Sequence, residues 1–239
     1  MASAGAVIRR VLSALLALLY PRGACCLACG ALNTGGEALC SRCAAEMKKP
    51  VAPRCPGCGR PGWTMLCSSC AASLPADYLP FYTPLDYSGA AKHLVRRLKY
   101  DRVPEAGKPL AEAMAAVLPA EPFDALVPIP LNKKRERERG FNQARVLCEA
   151  VGEKAGLPVL DALIRTRYTK TQTHLSAKER EENVRRVFIC NADVRGKRLL
   201  LVDDVRTTGA TARSCAETLL ASGAAHVALL TAATARPRS

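Results

Sequence analysis

Arg198-Leu199-Leu200-Leu201-Val202-Asp203-Asp204-Val205-Arg206-Thr207-Thr208-Gly209-Ala210-Thr211 decides the fold of this 239-residue chain. A strand-like apolar run delivers two acids, then a small hydroxyl-rich turn, then a helix-like segment over residues 212–222. Open α/β sheets bind ligands just beyond the carboxyl ends of their strands, where these residues would sit. Each residue type has a chemical reason to be there. The acids can accept hydrogen bonds from a pair of vicinal hydroxyls. Thr207, Thr208 and Thr211 offer hydroxyl donors, Gly209 lets the backbone approach closely, and a helix start supplies unpaired N–H groups to a phosphate. A sugar phosphate suits this set better than other common ligands.

Three plainer readings compete. Val-Asp-Asp also opens receiver domains, but those acids precede roughly a hundred or more residues, and too few follow Asp203. An apolar strand ending in acids is also a Walker-B pattern, yet the chain has no G-x-x-x-x-G-K-[ST]. An ordinary buried strand and turn has no use for two acids and three threonines.

The run resembles the phosphoribosyl-pyrophosphate (PRPP) motif of type I phosphoribosyltransferases. That resemblance implies that Asp203 and Asp204 hold the ribose hydroxyls. Thr207, Thr208, Gly209, Ala210 and Thr211 would cradle the 5′-phosphate. Arg206 departs from the pattern, standing where such enzymes are often apolar.

The length allows one α/β domain and a small module, and 49% hydrophobic residues suffice for a packed core. A formal charge of +14 points to anionic partners: phosphates, nucleic acid or an acidic membrane face. The cysteines reduce that figure. Eight of the twelve form four C-x-x-C pairs, Cys26/Cys29, Cys40/Cys43, Cys55/Cys58 and Cys67/Cys70, arranged as a repeat of two units. Two such knuckles per unit provide the four thiolates of a tetrahedral structural zinc, and the glycine after Cys29 or Cys58 permits the tight turn. Two structural zinc sites are predicted. Spacing leaves open a crossed pairing between the units. Four thiolates outweigh one divalent ion by about two charges, so two sites bring the net charge to roughly +10. Disulfides would need an oxidising compartment, and the chain shows no clear export signal. Cys25 could exchange with Cys26, which has the better spacing, and Cys148, Cys190 and Cys215 lie in apolar contexts that suit inert core residues.

Near the N-terminus, Arg9-Arg10 precedes a ten-residue apolar run, 11–20, that mimics a signal peptide but is too short to span a bilayer. Ile8, Val11, Leu12, Leu15, Leu16 and Leu19 follow helical spacing, which predicts a docked amphipathic helix, with membrane-surface contact as the alternative. The predicted organisation is this helix over 1–24, a double zinc ribbon over 25–75, and an α/β domain over 76–239. In that domain the pattern predicts a short strand or hood at 79–87, a basic helix at 88–100 and a helix at 110–118. A strand at 125–129 leads into a loop over 130–143, followed by a helix to about residue 155 and a strand at 158–164. Ser176-Ala-Lys-Glu179 is a capping box, and the last strand covers roughly 226–232. Strands alternating with helices argue for a mainly parallel sheet.

Two segments could complete the site. The 130–143 loop carries Lys133, Lys134, Arg135, Arg137 and Arg139 at a strand end. In type I phosphoribosyltransferases the equivalent strand end forms the pyrophosphate loop, which implies contacts from Pro130, Asn132, Lys133 and Arg139. Glu136 and Glu138 alternate with the arginines, so a solvated helix face is the competing reading. The polar stretch 165–174 could be a lid bringing Lys170, Gln172 or His174 to the reaction centre, or a surface loop. His93 and His226 read as helix-surface and strand-end residues.

Taken in order, the motifs resemble the ComF competence proteins, a double zinc ribbon followed by a type I phosphoribosyltransferase domain. The match runs through the leading helix, the four knuckles, Leu98-Lys99-Tyr100, Val127-Pro-Ile-Pro130, Arg139-Gly-Phe-Asn-Gln143, residues 172–183 and the PRPP motif. The resemblance implies a role in natural transformation, helping single-stranded DNA enter the cytoplasm, with PRPP and Mg²⁺ as ligands. It also implies competence-machinery partners at the inner membrane face and a cytoplasmic, membrane-peripheral location. Some relatives carry an amidophosphoribosyltransferase label, which this sequence does not support: residue 2 is Ala, with no cysteine nucleophile. Three functions follow: an active transferase with an unidentified acceptor, a nucleic-acid module on an inherited fold, or a PRPP-gated DNA binder. Lys92, Arg96, Arg97, Lys99 and Arg102 could track a single strand, with Tyr100, Phe141 and Trp63 as stacking platforms. No catalytic residue is assigned.

Overall fold

The computed structural model describes residues 25–33, 35–47, 55, 68, 71, 79–118, 120–166, 187–207 and 209–235. The leading helix, Thr208, Trp63, residues 167–174 of the expected lid, the 176–179 capping box, the boundary near residue 76, and Cys58, Cys67 and Cys70 lie outside them.

The centre is the quoted strand, β6 (Arg198–Arg206), with β3 (Ala125–Pro128) on one side and β7 (His226–Thr234) on the other, all parallel. Successive side chains of a strand point to opposite faces. Leu200 and Val202 therefore enter one apolar cluster, while Leu199 and Leu201 enter the other. Both faces are covered, which is why the run is continuously apolar instead of alternating. The first face carries α2 (Gly89–Tyr100), α3 (Gly107–Ala115) and α5 (Gln143–Ala155). The second carries α6 (Ala210–Ala221) and a two-stranded antiparallel ribbon of β4 (Leu163–Arg165) and β5 (Phe188–Cys190).

Three expectations need correction. The 79–87 element is an edge strand in two pieces, β1 (Phe81–Tyr82) and β2 (Leu85–Asp86), both parallel to β7. Pro84, which has no N–H to give the ladder, stands in the break. The 158–164 strand divides as well. Val159 bridges Leu126 beside β3, and the chain then leaves the sheet to pair through β4 with β5, a strand the sequence reading did not contain. Finally, the 130–143 loop contains a helix, α4 (Lys133–Arg139). The Asn132 side chain accepts a hydrogen bond from the Lys134 N–H at its start, and Gly140 ends it in the left-handed region. Asn142 then caps α5 through the Ala144 N–H, and its amide donates to the Ile129 carbonyl at 3.0 Å, tying the turn to the end of β3.

The first cysteine unit docks on α2. Its helix α1 (Ser41–Met47) extends Glu46, whose Oε2 accepts from the Ala90 N–H at 2.8 Å, capping α2 from outside. Gly89 makes this approach possible: with φ +48°, a Cβ there would stand 2.5 Å from Glu46 Oε2. Further along α2, Arg97 donates to the Leu27 carbonyl at 3.2 Å. Cys26, Ala28 and Cys43 belong to the same apolar cluster as Leu94, Leu98 and Leu200.

Candidate sugar-phosphate site and metal centre

The alternation that buries β6 also separates its two acids. Asp204 falls on the side facing α2, where Lys99 meets it at 2.6 Å with both side chains largely buried. The sequence reading placed Lys99 on a DNA-tracking surface; the fold directs it to this carboxylate. Asp203 faces the other way, and its Oδ1 accepts from the Asp204 N–H at 2.8 Å. Burial and the neighbouring charge of Asp204 push the Asp203 carboxyl up to about 7. The Asp204 N–H, Lys99 and Arg139 act in the opposite sense without prevailing.

These acids border a cavity of about 300 Å³, with Thr207 and Thr211 on its wall. Gly209 turns the chain at φ +76°, and α6 begins without a side-chain cap. From the loop after β3 come Pro130, Arg135 and Arg139. Asn132, engaged in capping, and Lys133, at the first turn of α4, are not among the lining residues. Arg206 is buried with its guanidinium 4.0 Å from the Phe81 ring centroid and packed against the Gly209 turn, where a Cβ would stand 3.5 Å from its Nε. A position that suits an apolar side chain thus holds an arginine whose flat face packs on an aromatic ring.

Among the other lining residues are Arg165, Tyr87 and Gln143, which the sequence does not mark as ligand contacts. Arg165 reaches the cavity from β4 while stacking on Phe188. Tyr87 contributes from the segment after β2. Gln143, only 1% exposed, lines the wall with an amide Nε2 that has no hydrogen-bond partner. An unsatisfied buried donor costs about 1–3 kcal/mol. The signal for Gln143 was its place one residue after the Asn142 cap, where a helix turns its first side chains toward a strand end.

In the first cysteine unit, the sulfurs of Cys26, Cys29, Cys40 and Cys43 all lie within 4.8 Å of one another, with Cys29 and Cys40 at 3.9 Å. A tetrahedral zinc with bonds of about 2.3 Å sets its sulfurs about 3.8 Å apart, so the set fits one zinc, with all four ligands from the same unit. Cys25 is exposed and outside the cluster. Burial raises the Cys26 thiol, but the N–H groups of Cys29, Cys40 and Ala28 outweigh it and bring it down to about 6. A low thiol pKa favours the thiolate that a metal binds. Cys148 and Cys215 are buried with thiols pushed up by that burial, which suits inert core residues.

Residues 15–77 match the double zinc ribbon domain family. The DNA utilization protein YhgH of Salmonella typhi is 34% identical over 224 residues, covering 88% of this chain and 96% of its own. The competence protein ComFC of Bacillus subtilis is 32% identical, covering 79% of this chain and 80% of its own. Among solved structures, the B. subtilis glutamine PRPP amidotransferase superposes with a TM-score of 0.44 and 23% identity. It covers 57% of this chain, which spans only 30% of that enzyme. A double zinc ribbon followed by an α/β domain with a parallel sheet, and relatives at 32–34% identity matched over 80–96% of their own length, place this chain in the ComF/YhgH family of competence proteins.

Proposed function

We propose that the cavity at the end of β6 binds PRPP with Mg²⁺. The observation that carries this reading is the convergence on one cavity of two acids, a glycine turn into an uncapped helix, and the cations Arg135, Arg139 and Arg165. Asp203 and Asp204 accept from the ribose hydroxyls. Thr207, Thr208, Gly209, Ala210 and Thr211 hold the 5′-phosphate at the start of α6. Arg139 and Arg135 face the pyrophosphate, and Gln143 gives its unpaired N–H to a ligand oxygen. A carboxyl held near neutrality by burial and a like charge suits a ligand that brings hydroxyl donors and a cation. When bound, Mg²⁺ offsets the pyrophosphate charge. Zinc in the first unit, and a second zinc on Cys55, Cys58, Cys67 and Cys70, serve structure, since closed four-thiolate sites leave no coordination position for chemistry.

At the level of the cell, the chain assists single-stranded DNA during natural transformation, in the cytoplasm and at the periphery of the inner membrane with competence-machinery partners. Its relatives' names, DNA utilization protein and competence protein, support this reading. No helix among the described residues is long and apolar enough to cross a membrane. PRPP either gates that DNA handling or donates its ribose. In the second case the C1–O bond to pyrophosphate breaks with its electron pair leaving on oxygen, and C1 bonds to an acceptor nucleophile.

Calorimetric titration of PRPP·Mg²⁺ into the zinc-loaded protein tests the site. Saturable binding should weaken by at least about 100-fold in Asp203→Asn/Asp204→Asn, as expected for losing two charged acceptors. Equal binding by wild type and variant, or none by wild type, sinks the PRPP reading.

A further inference from the structure

A second cavity, of about 420 Å³, lies between the first cysteine knuckle and the outer face of α2. The knuckle contributes Ala28, Cys29 and Gly30; the helix contributes Lys92, His93, Arg96, Arg97 and Asp101. With the histidine neutral, the wall carries three positive side chains against one negative. Arg97 is occupied by the Leu27 carbonyl and by Asp101, at 3.2 and 3.6 Å. Lys92 and Arg96, both exposed, have no ion-pair partner among the described residues. They stand one helical turn apart on the same face.

That face continues. Tyr100 is 66% exposed, about 12 Å along the helix from Lys92 at 1.5 Å per residue. Arg139, which lines the sugar-phosphate cavity, lies with its guanidinium 5.6 Å from the Tyr100 ring centroid. One helix thus carries cations from the zinc knuckle to the mouth of the other site. On its opposite flank it supplies Lys99 to Asp204.

We propose that the cleft between the first zinc knuckle and α2 holds the phosphate backbone of single-stranded DNA, with Lys92 and Arg96 as its contacts and Tyr100 as a base platform. This deepens the DNA-handling reading above and rests on it. The chemistry favours a single strand over free phosphate or a duplex. Cations in a row one helix wide follow a backbone, and an exposed ring stacks only on a base that is not paired. Contacts from Lys92 and Arg96 to a phosphate backbone carry no sequence information, so binding should be salt-sensitive and sequence-tolerant.

The test uses fluorescence anisotropy of a labelled oligothymidine with the full zinc-loaded chain and its Lys92→Glu/Arg96→Glu variant. Both side chains are exposed, so the fold should persist. The variant should bind at least about 100-fold more weakly at low salt. Its log–log salt slope should be shallower by about 1.4, for two lost contacts at about 0.7 each on a single strand. Its PRPP·Mg²⁺ titration and zinc content should match wild type. Undiminished oligonucleotide binding by the variant overturns the cleft while leaving DNA handling intact. No binding by wild type removes both. Facile zinc loss from the variant would make Lys92 and Arg96 counter-charges of the thiolates, which also overturns the proposal. Tighter binding of the matching duplex, or competition by equimolar inorganic phosphate, overturns it too.

Discussion

The cysteine knuckle and the acid pair solve the same problem, anions crowded in a poorly solvated place, in opposite ways. In the knuckle, backbone N–H groups from a tight turn bring Cys26 down from 9.0 to about 6. At the end of β6, burial and Asp204 push Asp203 up from 3.8 to about 7. Both groups reach the neutral range, one from each side. Within the knuckle the lowering is confined to Cys26: burial and the neighbouring thiols push Cys43 up, so a full set of thiolates needs a metal to balance it. At the strand end Lys99 is the resident counter-ion of Asp204, whereas the charge of Asp203 stays disfavoured despite the cations that line the cavity. The two anions differ in how many backbone donors they meet: three N–H groups lower Cys26, whereas Asp203 accepts from one, that of Asp204.

The largest test of that distinction is Cys43→Ser. Structural zinc sites contribute apparent binding energies of about 10–16 kcal/mol to folding. The variant should lose zinc, measured by atomic absorption, and melt far below wild type. Retention of both would make the cluster a set of plain core thiols. The next effect has the opposite sign. Because Asp203 sits above its ordinary value when folded, the folded state holds its proton more tightly. The stability associated with that proton is full below about pH 4 and is lost as pH rises through about 7. Asp203→Asn should therefore stabilise the ligand-free protein at pH 8 by a few kcal/mol at most, the gain fading toward pH 4, in urea melts without PRPP. A destabilised variant at pH 8 would mean that the acid is a structural partner and not a stored cost. The smallest effect sharpens the contrast. Gln143→Met removes an unpaired buried donor, so the ligand-free protein should gain about 1–3 kcal/mol while PRPP affinity falls about tenfold. Lost stability with unchanged affinity would make Gln143 a packing residue.

Much of this architecture was legible because its signals are local. The 199–202 apolar run, the acids behind it and the helix after Gly209 lie on one continuous segment, and the structure keeps them in that order. The knuckles were legible from spacing alone, and the first cluster uses the expected Cys26 instead of Cys25. What escaped depends on distance or on very short pieces. Lys99 and Asp204 are far apart in sequence; Leu98-Lys99-Tyr100 marks a family segment but does not say what Lys99 meets, and only the orientation of α2 shows it. Arg165 looked like the start of a mobile polar stretch because β4 has three residues and β5, its partner, is equally short. Such strands show no period. The 130–143 segment was read as a loop because alternating Arg and Glu give no apolar stripe, yet Asn132 and Gly140 carry the helix boundaries.

The contact of Glu46 with the Ala90 N–H, accommodated by the missing side chain at Gly89, bears on how the chain comes apart. A fragment beginning at the α/β domain would leave the first turn of α2 without that acceptor. Arg97 would lose its carbonyls, and the apolar cluster shared by Cys26, Ala28 and Cys43 would open to water. The same helix supplies the counter-ion of Asp204. The first cysteine unit and the sheet therefore share one core, and damage to that unit, by metal loss or oxidation, would reach the cavity at the end of β6 without touching a residue in it.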